Sequence, residues 1–338
     1  MSARVDPSRA FEVGETAAPF VRQWLKLLEL GIADPTVRRY VLCWFAWKIQ
    51  NPGLVPGTIV ILIGHKGIGK NSVAEPIVRM FGAHGAVYDD PEQVAGRFTD
   101  HLMDKCFVVL DEALFSGDPR QADRIKARVT ATTCTFEGKG LKPVQGFNRA
   151  AYVLLTNHKH AWQATWDERR AAVVNFSDAL RTDRQFWDAY HASFTDEGTA
   201  QLLGFLQALD VADFNPRVIP QSQALREQQA LTALRSPVAA WWWMALKDGA
   251  VRVNGRTVEL ATDEQTEIHR DELRDAFSQH CSRSGAKLDW APAAREMRRF
   301  GLADPVRRGA ARAPHYLLPP LAELRAKFSE ATGANFDD

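Results

Sequence analysis

The sequence has 338 residues and is 46% hydrophobic, which excludes a disordered or fibrous protein and allows about two globular domains. The formal net charge of +1 excludes a protein that coats nucleic acid by bulk attraction. No apolar run reaches the roughly 18 residues of a membrane span, and the first residues lack a signal-peptide pattern. We therefore expect a cytoplasmic protein with no membrane partner.

Two helices are predicted within residues 19–51, because apolar residues recur there at helical spacing. Asn51, Pro52 and Gly53 form a stop signal. We take residues 1–52 as an N-terminal helical segment.

Three continuous apolar runs follow, and each ends in polar residues: TIVILIG at 58–64, CFVVLDEA at 106–113 and AYVLLTNH at 151–158. Such runs are typical of strands that are buried on both faces of a parallel sheet. They predict an α/β core, at residues 53–210, with its chemistry at the carboxyl edge of the sheet.

The last third of the chain has a different texture. Residues 211–236 are polar and glutamine-rich and predict a connector, and residues 237–338 predict a small α+β domain with helices near 270–281 and 291–300. Ten Lys or Arg and only four Asp or Glu lie between Cys281 and Lys327. This excess fits either a solvated charged face or a phosphate-contacting surface.

The stretch GHKGIGKNS, at residues 64–72, matches the phosphate-binding pattern G-x-x-x-x-G-K directly after a predicted strand. Backbone N–H groups in such a loop point at phosphate oxygens, and Lys70 would reach the β and γ phosphates. A chance glycine-rich turn is the alternative. The predicted nucleotide-binding residues are Gly64, His65, Lys66, Gly67, Ile68, Gly69, Lys70, Asn71 and Ser72.

Paired carboxylates end the second apolar run. Asp111 and Glu112 are costly in a buried strand unless they meet a cation or water. We predict that Asp111 holds Mg²⁺ with Asn71 or Ser72, because Asn71 stands where this loop usually carries a hydroxyl ligand. Glu112 is the predicted base that polarises the attacking water. A helix N-cap followed by a surface glutamate is the alternative.

Two further positions complete the predicted catalytic set. Asn157 ends the third run and could orient the water, although a simple strand-end turn explains it as well. Arg169 or Arg170 could project into the nucleotide site of a neighbouring subunit and stabilise charge in phosphoryl transfer. The alternative for the arginines is a salt bridge to Asp167 or Glu168.

Five segments together resemble the superfamily 3 helicases, in particular the helicase part of phage and mobile-element primase-helicases related to the poxvirus type: GHKGIGKN, GRFTDHLMDKCFVVLDEA, RIKARVTATTCTFEGKG, LLTNH and DERRAAVV. The resemblance covers roughly residues 40–245, and GKN is an accepted loop variant in these relatives. It implies an AAA+-like P-loop NTPase core in a hexameric ring. Such a ring moves along single-stranded DNA, usually 3′ to 5′, using ATP and Mg²⁺.

The resemblance also implies a DNA-contacting hairpin between the second and third apolar runs. Lys139 matches its channel lysine and Lys126 matches a lysine just ahead of it. The stretch TCTFEGKGLKPV independently predicts a β-hairpin, whose cations, including Lys142, could follow a phosphate backbone. Solvated turn lysines are the alternative.

Residues 260–320 resemble a winged helix, with residues 291–301 as the recognition-type helix and VRRGAARAPHYLL as the wing. Packing of these segments against the motor is the alternative. We expect no primase or polymerase domain ahead of the loop strand, and therefore a separate protein to supply priming.

The sequence therefore predicts an ATP-driven, hexameric replicative helicase of a phage or mobile element, which acts on single-stranded or forked DNA in the host cytoplasm. Two alternatives stay open. A replication-origin binding or melting protein, with ATP as an assembly switch, would bind specific duplex DNA without processive unwinding. A nucleotide-dependent defence or scaffold ATPase would show no DNA-stimulated hydrolysis.

Overall fold

The computed structural model describes residues 4–12, 16–112, 119–165, 167–253, 255–286, 289–309, 312–334 and 336. The chain divides into two compact units, one of residues 1–163 and 168–225 and one of residues 164–167 and 226–338. Within the described residues, no helix is both long enough and apolar enough to cross a bilayer.

The first unit is a mixed α/β structure that begins with the two predicted helices. In chain order its elements are α1 (Pro19–Gly31), α2 (Pro35–Gln50), β1 (Ile59–Ile63), α3 (Lys70–Phe81), β2 (Gly85–Tyr88), α4 (Glu92–Ala95), β3 (Phe107–Asp111), α5 (Pro119–Thr130), β4 (Thr133–Phe136), β5 (Val144–Phe147), β6 (Ala151–Thr156), β7 (Ala171–Asn175), α6 (Arg184–Ser193) and α7 (Asp196–Ala208).

Both predicted N-terminal helices are confirmed, and each begins at a proline. Proline is tolerated at the first helical position because its missing N–H has no partner there anyway. The Asp34 side chain also caps α2 by accepting the N–H groups of Thr36 and Val37. Apolar residues of α1 and α2 are buried in the same core as the sheet.

A five-stranded parallel sheet forms the centre of the first unit, with the strand order β2-β3-β6-β1-β7. The three predicted strands, β1, β3 and β6, are confirmed and lie side by side. Ile63 is opposite Thr156 and Asp111 is opposite Leu155, so β1, β3 and β6 end at the same level. We call this end of the sheet the carboxyl edge and the opposite end the amino edge.

The central strands of this hydrogen-bonded sheet are also fully buried. All five residues of β1 are buried, as is every residue of β6. Each large apolar side chain contributes about 1.5–3 kcal/mol when it is removed from water. The sheet is therefore a rigid base for the groups that follow each strand.

One cation lies inside this core at the amino edge. Lys48 of α2 is 0% exposed, and its Nζ donates to the carbonyl oxygens of Pro52 at 2.7 Å, Leu54 at 2.8 Å and Arg149 at 2.7 Å. Burial lowers the pKa of Lys48 to about 8. These acceptors precede β1 and β6, so the ammonium joins two segments at the amino edge.

The second unit contains a three-stranded antiparallel sheet and a two-stranded hairpin. Both helices predicted there are confirmed, as α10 (Arg270–Ser284) and α11 (Trp290–Arg299). Helix α8 (Gln223–Ala233) contains the boundary between the units. The elements that follow are α9 (Pro237–Asp248), β8 (Ala250–Val253), β9 (Arg256–Glu259), β10 (Thr266–His269), α10 (Arg270–Ser284), α11 (Trp290–Arg299), β11 (Val306–Arg308), β12 (Ala313–Leu318) and α12 (Leu321–Thr332).

The strand order of the three-stranded sheet is β10-β12-β11, and the β8–β9 pair lies between α9 and β10 in the chain. Trp241 and Trp242 of α9 are 7% and 0% exposed and belong to the core of this unit. The tryptophans are therefore packing residues of the second unit.

Candidate active site at the carboxyl edge of the sheet

A cleft of about 460 Å³ opens at the carboxyl edge, where β1, β3 and β6 end. Most of the residues predicted from sequence line it together, although they come from three separate stretches of the chain. These residues are Lys66, Gly67, Gly69, Lys70, Asn71, Ser72, Asp111, Glu112 and Asn157.

The loop of residues 64–70 joins β1 to α3 and forms one wall of the cleft. Gly67 and Gly69 have φ of 74° and 96°, in the left-handed region that favours glycine. A Cβ at Gly69 would also lie 2.5 Å from the Trp187 ring, whereas a Cβ at Gly67 would meet nothing within 4 Å. Gly67 is therefore required for backbone conformation, and Gly69 for both conformation and close packing.

Lys70 is the first residue of α3 and is only 8% exposed. Its Nζ donates to the carbonyl oxygens of Gly64 at 2.6 Å and His65 at 2.7 Å. Burial lowers the pKa of Lys70, and Asp111 and Glu112 oppose that shift. The ammonium is thus held at the base of the loop, close to two carboxylates.

Gly64, His65 and Ile68 contribute differently from the other loop residues, since they do not line the cleft. Gly64 and His65 supply the carbonyl oxygens that hold Lys70. The Ile68 side chain is 1% exposed and lies in the core. Ile68 can therefore face a ligand only through its backbone.

Asp111 and Asn71 meet across the cleft. The Asn71 Nδ2 donates to Asp111 Oδ2 at 2.7 Å, and Ser72 lines the same wall. Carboxylate, amide and hydroxyl oxygens are the ligands that Mg²⁺ prefers, together with phosphate and water. Asp111 and Asn71 are adjacent and Ser72 lines the same cleft, so the oxygens of these side chains have the chemistry that would suit a magnesium ion.

Glu112 follows Asp111 in the chain but has different hydrogen-bond and ion-pair partners. Its carboxylate pairs with the Lys66 ammonium at 2.9 Å, and its N–H donates to the Leu155 carbonyl at 2.8 Å. Its φ is 57°, which costs a non-glycine residue about 1–2 kcal/mol. Glu112 thus adopts an unfavourable backbone conformation at the point where β3 ends, and it lines the cleft.

Four cleft residues were missed by sequence reasoning: Thr156, Arg181, Trp187 and His191. Thr156 ends β6, and the other three follow β7 and belong to α6 or the turn before it. Tyr190 of α6 donates its hydroxyl to the Ser72 carbonyl at 2.6 Å, and this bond ties α6 to the first turn of α3. No local pattern signals this contact, because 118 residues separate its partners.

Arg169 and Arg170 are not part of the cleft in the same chain. They precede β7, and the Arg170 carbonyl accepts the N–H of Ile59 at 2.7 Å, so both arginines lie at the amino edge. Neither guanidinium is paired with a carboxylate within the described residues. Instead, the Glu168 carboxylate accepts the backbone N–H of Arg169 at 3.0 Å and of Arg170 at 2.8 Å.

The predicted hairpin is confirmed as β4 and β5, which pair antiparallel. Lys139 and Lys142 are exposed in the turn that joins them. Lys126 is placed differently: its side chain is 12% exposed and its Nζ donates to the Gln163 carbonyl at 2.5 Å. The DNA role of all three lysines stays a prediction, and for Lys126 these contacts favour a positioning role.

Comparisons with known proteins support this fold. A family model described as "Family of unknown function (DUF5906)" matches residues 62–170, and the curated proteins contain no match. The chain is similar to the apo structure of the NrS-1 C-terminal region (305–718), with a TM-score of 0.61 and 15% identity over 88% of this chain and 75% of that chain. The A form of that region gives a TM-score of 0.61 and 16% identity over 91% and 75%. At these identities the likeness shows a shared fold.

Proposed function

We propose that this protein is an ATP-driven DNA helicase of the superfamily 3 type, which acts as a hexameric ring in the replication of a phage or similar mobile element. The first unit would be its AAA+-like P-loop motor. The second unit would be its winged-helix-like domain.

One observation carries the proposal: a glycine loop with a buried lysine, a carboxylate pair and an asparagine meet in one cleft. They follow β1, β3 and β6, and β6 lies between the other two strands. The loop also opens a helix, whose N-terminus favours an anion. A chance glycine turn would not bring these groups to one point.

In this proposal the substrate triphosphate lies along residues 64–70. Backbone N–H groups bind its phosphate oxygens, and Lys70 exchanges the carbonyl contacts of Gly64 and His65 for the β and γ phosphates. Because Lys70 is nearly buried, its charge acts on the phosphates with little screening by water.

In this proposal the groups that activate the attacking water follow β3 and β6. Glu112 accepts a proton from the water as the oxygen attacks the γ-phosphorus, and Asn157 orients that water. Asp111 with Asn71 or Ser72 would hold Mg²⁺, which neutralises charge on the phosphate oxygens. The bond to the β-phosphate oxygen then breaks and gives ADP and inorganic phosphate.

The arginines support a shared site. Arg169 and Arg170 lie at the amino edge, so they can reach a triphosphate only if a second copy presents its carboxyl edge to them. A ring of identical, head-to-tail contacts meets this requirement at every interface. An arginine supplied from a neighbour stabilises the charge of phosphoryl transfer.

DNA contacts are assigned to the hairpin turn and the second unit. Lys139 and Lys142 are exposed and could follow a phosphate backbone, and copies around a ring would sum to a strong grip. In the second unit, α11 precedes the antiparallel β11–β12 pair, an order that suits a recognition helix followed by a wing. Arg307 and Arg308 of β11 are exposed.

The test is ATP hydrolysis with and without single-stranded DNA, alongside the mass of the assembled particle. We expect hydrolysis that DNA stimulates and a mass near six chains in the presence of nucleotide. No hydrolysis would overturn the proposal. Hydrolysis without DNA stimulation would favour a scaffold or defence ATPase, and specific duplex binding without unwinding would favour an origin-melting protein.

A further inference from the structure

Lys126 occupies an unusual position for a lysine on a polar helix. It lies on α5, and its Nζ donates to the Gln163 carbonyl at 2.5 Å and lies 3.9 Å from Glu168 Oε2. The ammonium also lies 5.6 Å from the centre of the Trp162 ring. These contacts join α5 to the segment between β6 and β7.

The partner of Lys126 is a buried carboxylate with every oxygen engaged. The Glu168 side chain is 1% exposed, and its Oε2 accepts the Trp162 indole N–H at 2.9 Å. Its Oε1 accepts the backbone N–H groups of Arg169 and Arg170. Glu168 therefore fixes the backbone that carries both arginines, and Lys126 links that backbone to α5.

The C-terminal end of α5, just beyond Lys126, is tied to the hairpin. Asn148, which directly follows β5, is 5% exposed and donates from Nδ2 to the carbonyl oxygens of Arg128 and Ala131, both at 2.8 Å. Its N–H donates to the Thr132 carbonyl at 2.9 Å. The C-terminal end of α5 and the base of the hairpin therefore form one bonded block.

We propose that the Lys126–Glu168 pair is a mechanical link between the Arg169–Arg170 segment and the β4–β5 hairpin, so that engagement of an arginine in a neighbouring nucleotide site shifts the hairpin. This inference rests on the proposed function. Lys126 is then a positioning residue that acts through Glu168 and α5. It touches neither DNA nor nucleotide.

The energetics favour this role over simple stabilisation. A buried ion pair is seldom more stable than a well-packed apolar pair, because both charges lose their hydration. It does, however, fix the geometry of the two segments that it joins. Networks of hydrogen bonds and ion pairs that connect two sites are the elements that can carry energetic coupling between them.

The experiment measures the ratio of DNA-stimulated to DNA-independent ATP hydrolysis and compares this ratio between wild type and variants of the full chain. Lys126→Met removes the link but leaves three N–H donors on Glu168, and we expect the ratio to fall at least about fivefold. Lys126→Arg can span both acceptors and should keep at least about half of the wild-type ratio. Arg124→Met is the matched control, because Arg124 is a cation on the same helix that bonds only to the Ala95 carbonyl among the described residues.

A second readout separates the link from direct DNA contact. In Lys126→Met the salt dependence of single-stranded DNA binding should equal that of wild type, whereas Lys139→Ala should lower its slope. A lowered slope in Lys126→Met would make Lys126 a DNA ligand and overturn the proposal. An unchanged hydrolysis ratio would overturn it as well.

Glu168→Gln provides a second route to the same answer if Lys126→Met fails to fold, as judged by thermal unfolding. The double variant Lys126→Met/Glu168→Gln should have a ratio no lower than the lower single variant, because the pair acts as a unit. Additive losses would contradict the link. Wild-type protein without ATP hydrolysis would remove the proposed function and this inference with it, whereas DNA-stimulated hydrolysis that Lys126→Met retains would remove only the inference.

Discussion

The two edges of the central sheet have opposite character. At the carboxyl edge the polar groups pair with one another: Lys66 with Glu112, and Asn71 with Asp111. At the amino edge, the guanidinium groups of Arg169 and Arg170 form no salt bridge with a carboxylate within the described residues. The polar groups of the carboxyl edge are thus paired with one another, whereas the amino edge presents cations that, in our proposal, a second copy of the chain would use.

Two buried lysines, one at each edge of the sheet, differ in the same way. Lys48 at the amino edge is 0% exposed and donates to three carbonyl oxygens, whereas Lys70 at the carboxyl edge is 8% exposed and lines the cleft. Burial lowers the pKa of both. We therefore expect a structural role for Lys48 and a ligand-binding role for Lys70, and the variants below separate the two roles.

Lys70→Ala should have the largest effect and should abolish ATP turnover. The triphosphate loses its nearest buried cation, and we expect a loss of at least about 10³-fold at saturating ATP. Steady-state hydrolysis measured beside a thermal unfolding curve separates lost chemistry from lost fold. A folded Lys70→Ala variant with normal turnover would refute the site assignment.

The next effect belongs to the amino edge. Alanine at the arginine that completes the neighbouring site should slow turnover by on the order of 10³-fold and leave nucleotide affinity within about twofold. Arg169→Ala and Arg170→Ala should each be measured by hydrolysis and by nucleotide titration. Arg149→Ala, which removes another charge at this edge, serves as the control. Normal turnover in both Arg169→Ala and Arg170→Ala would exclude the shared site.

Lys48→Met tests the structural lysine. Methionine fills similar space but leaves three carbonyl oxygens without a donor, so we expect a loss of about 2–4 kcal/mol in the free energy of unfolding. Denaturant unfolding measures it, and Lys26→Met, at an exposed lysine of α1, should change stability by less than about 0.5 kcal/mol. Equal effects of the two substitutions would show that the three carbonyl contacts contribute little.

The smallest expected effect is a pH dependence of stability. The pKa of Lys48 falls from 10.5 to about 8 on folding, so between these values the unfolded chain binds more protons than the folded chain. The free energy of unfolding should therefore rise with pH as the folded Lys48 loses its proton, by roughly 1 kcal/mol between about pH 7.5 and about pH 9 relative to Lys48→Met. Parallel stability curves for the two proteins would show that the ammonium keeps its ordinary pKa.

Sequence reasoning predicted the local parts of this structure well. The apolar runs that became β1, β3 and β6 are strands buried on both faces, and such strands have a clear signature. The positions of Asp111, Glu112 and Asn157 followed from the ends of these strands, because parallel strands bring their carboxyl ends together. At these residues, the position at the end of a predicted strand matches the position at the carboxyl edge of the sheet.

Long-range contacts were beyond that reasoning. Trp187 packs where a Cβ of Gly69 would lie. No sequence pattern near either residue predicts this contact. Lys48, by contrast, left a signal, because it is eleven residues beyond Val37 on the same apolar face of α2. A lysine on an apolar stripe is a sign of a buried cation with backbone partners.

The most direct test of the shared site mixes two inactive proteins. Lys70→Ala has a defective cleft with intact arginines, and the inactive arginine variant has an intact cleft. Random mixed rings contain both intact halves at about a quarter of their interfaces, so the mixture should recover up to roughly a quarter of wild-type ATP hydrolysis. A mixture no more active than the sum of its two components would contradict a site built from two copies of this chain.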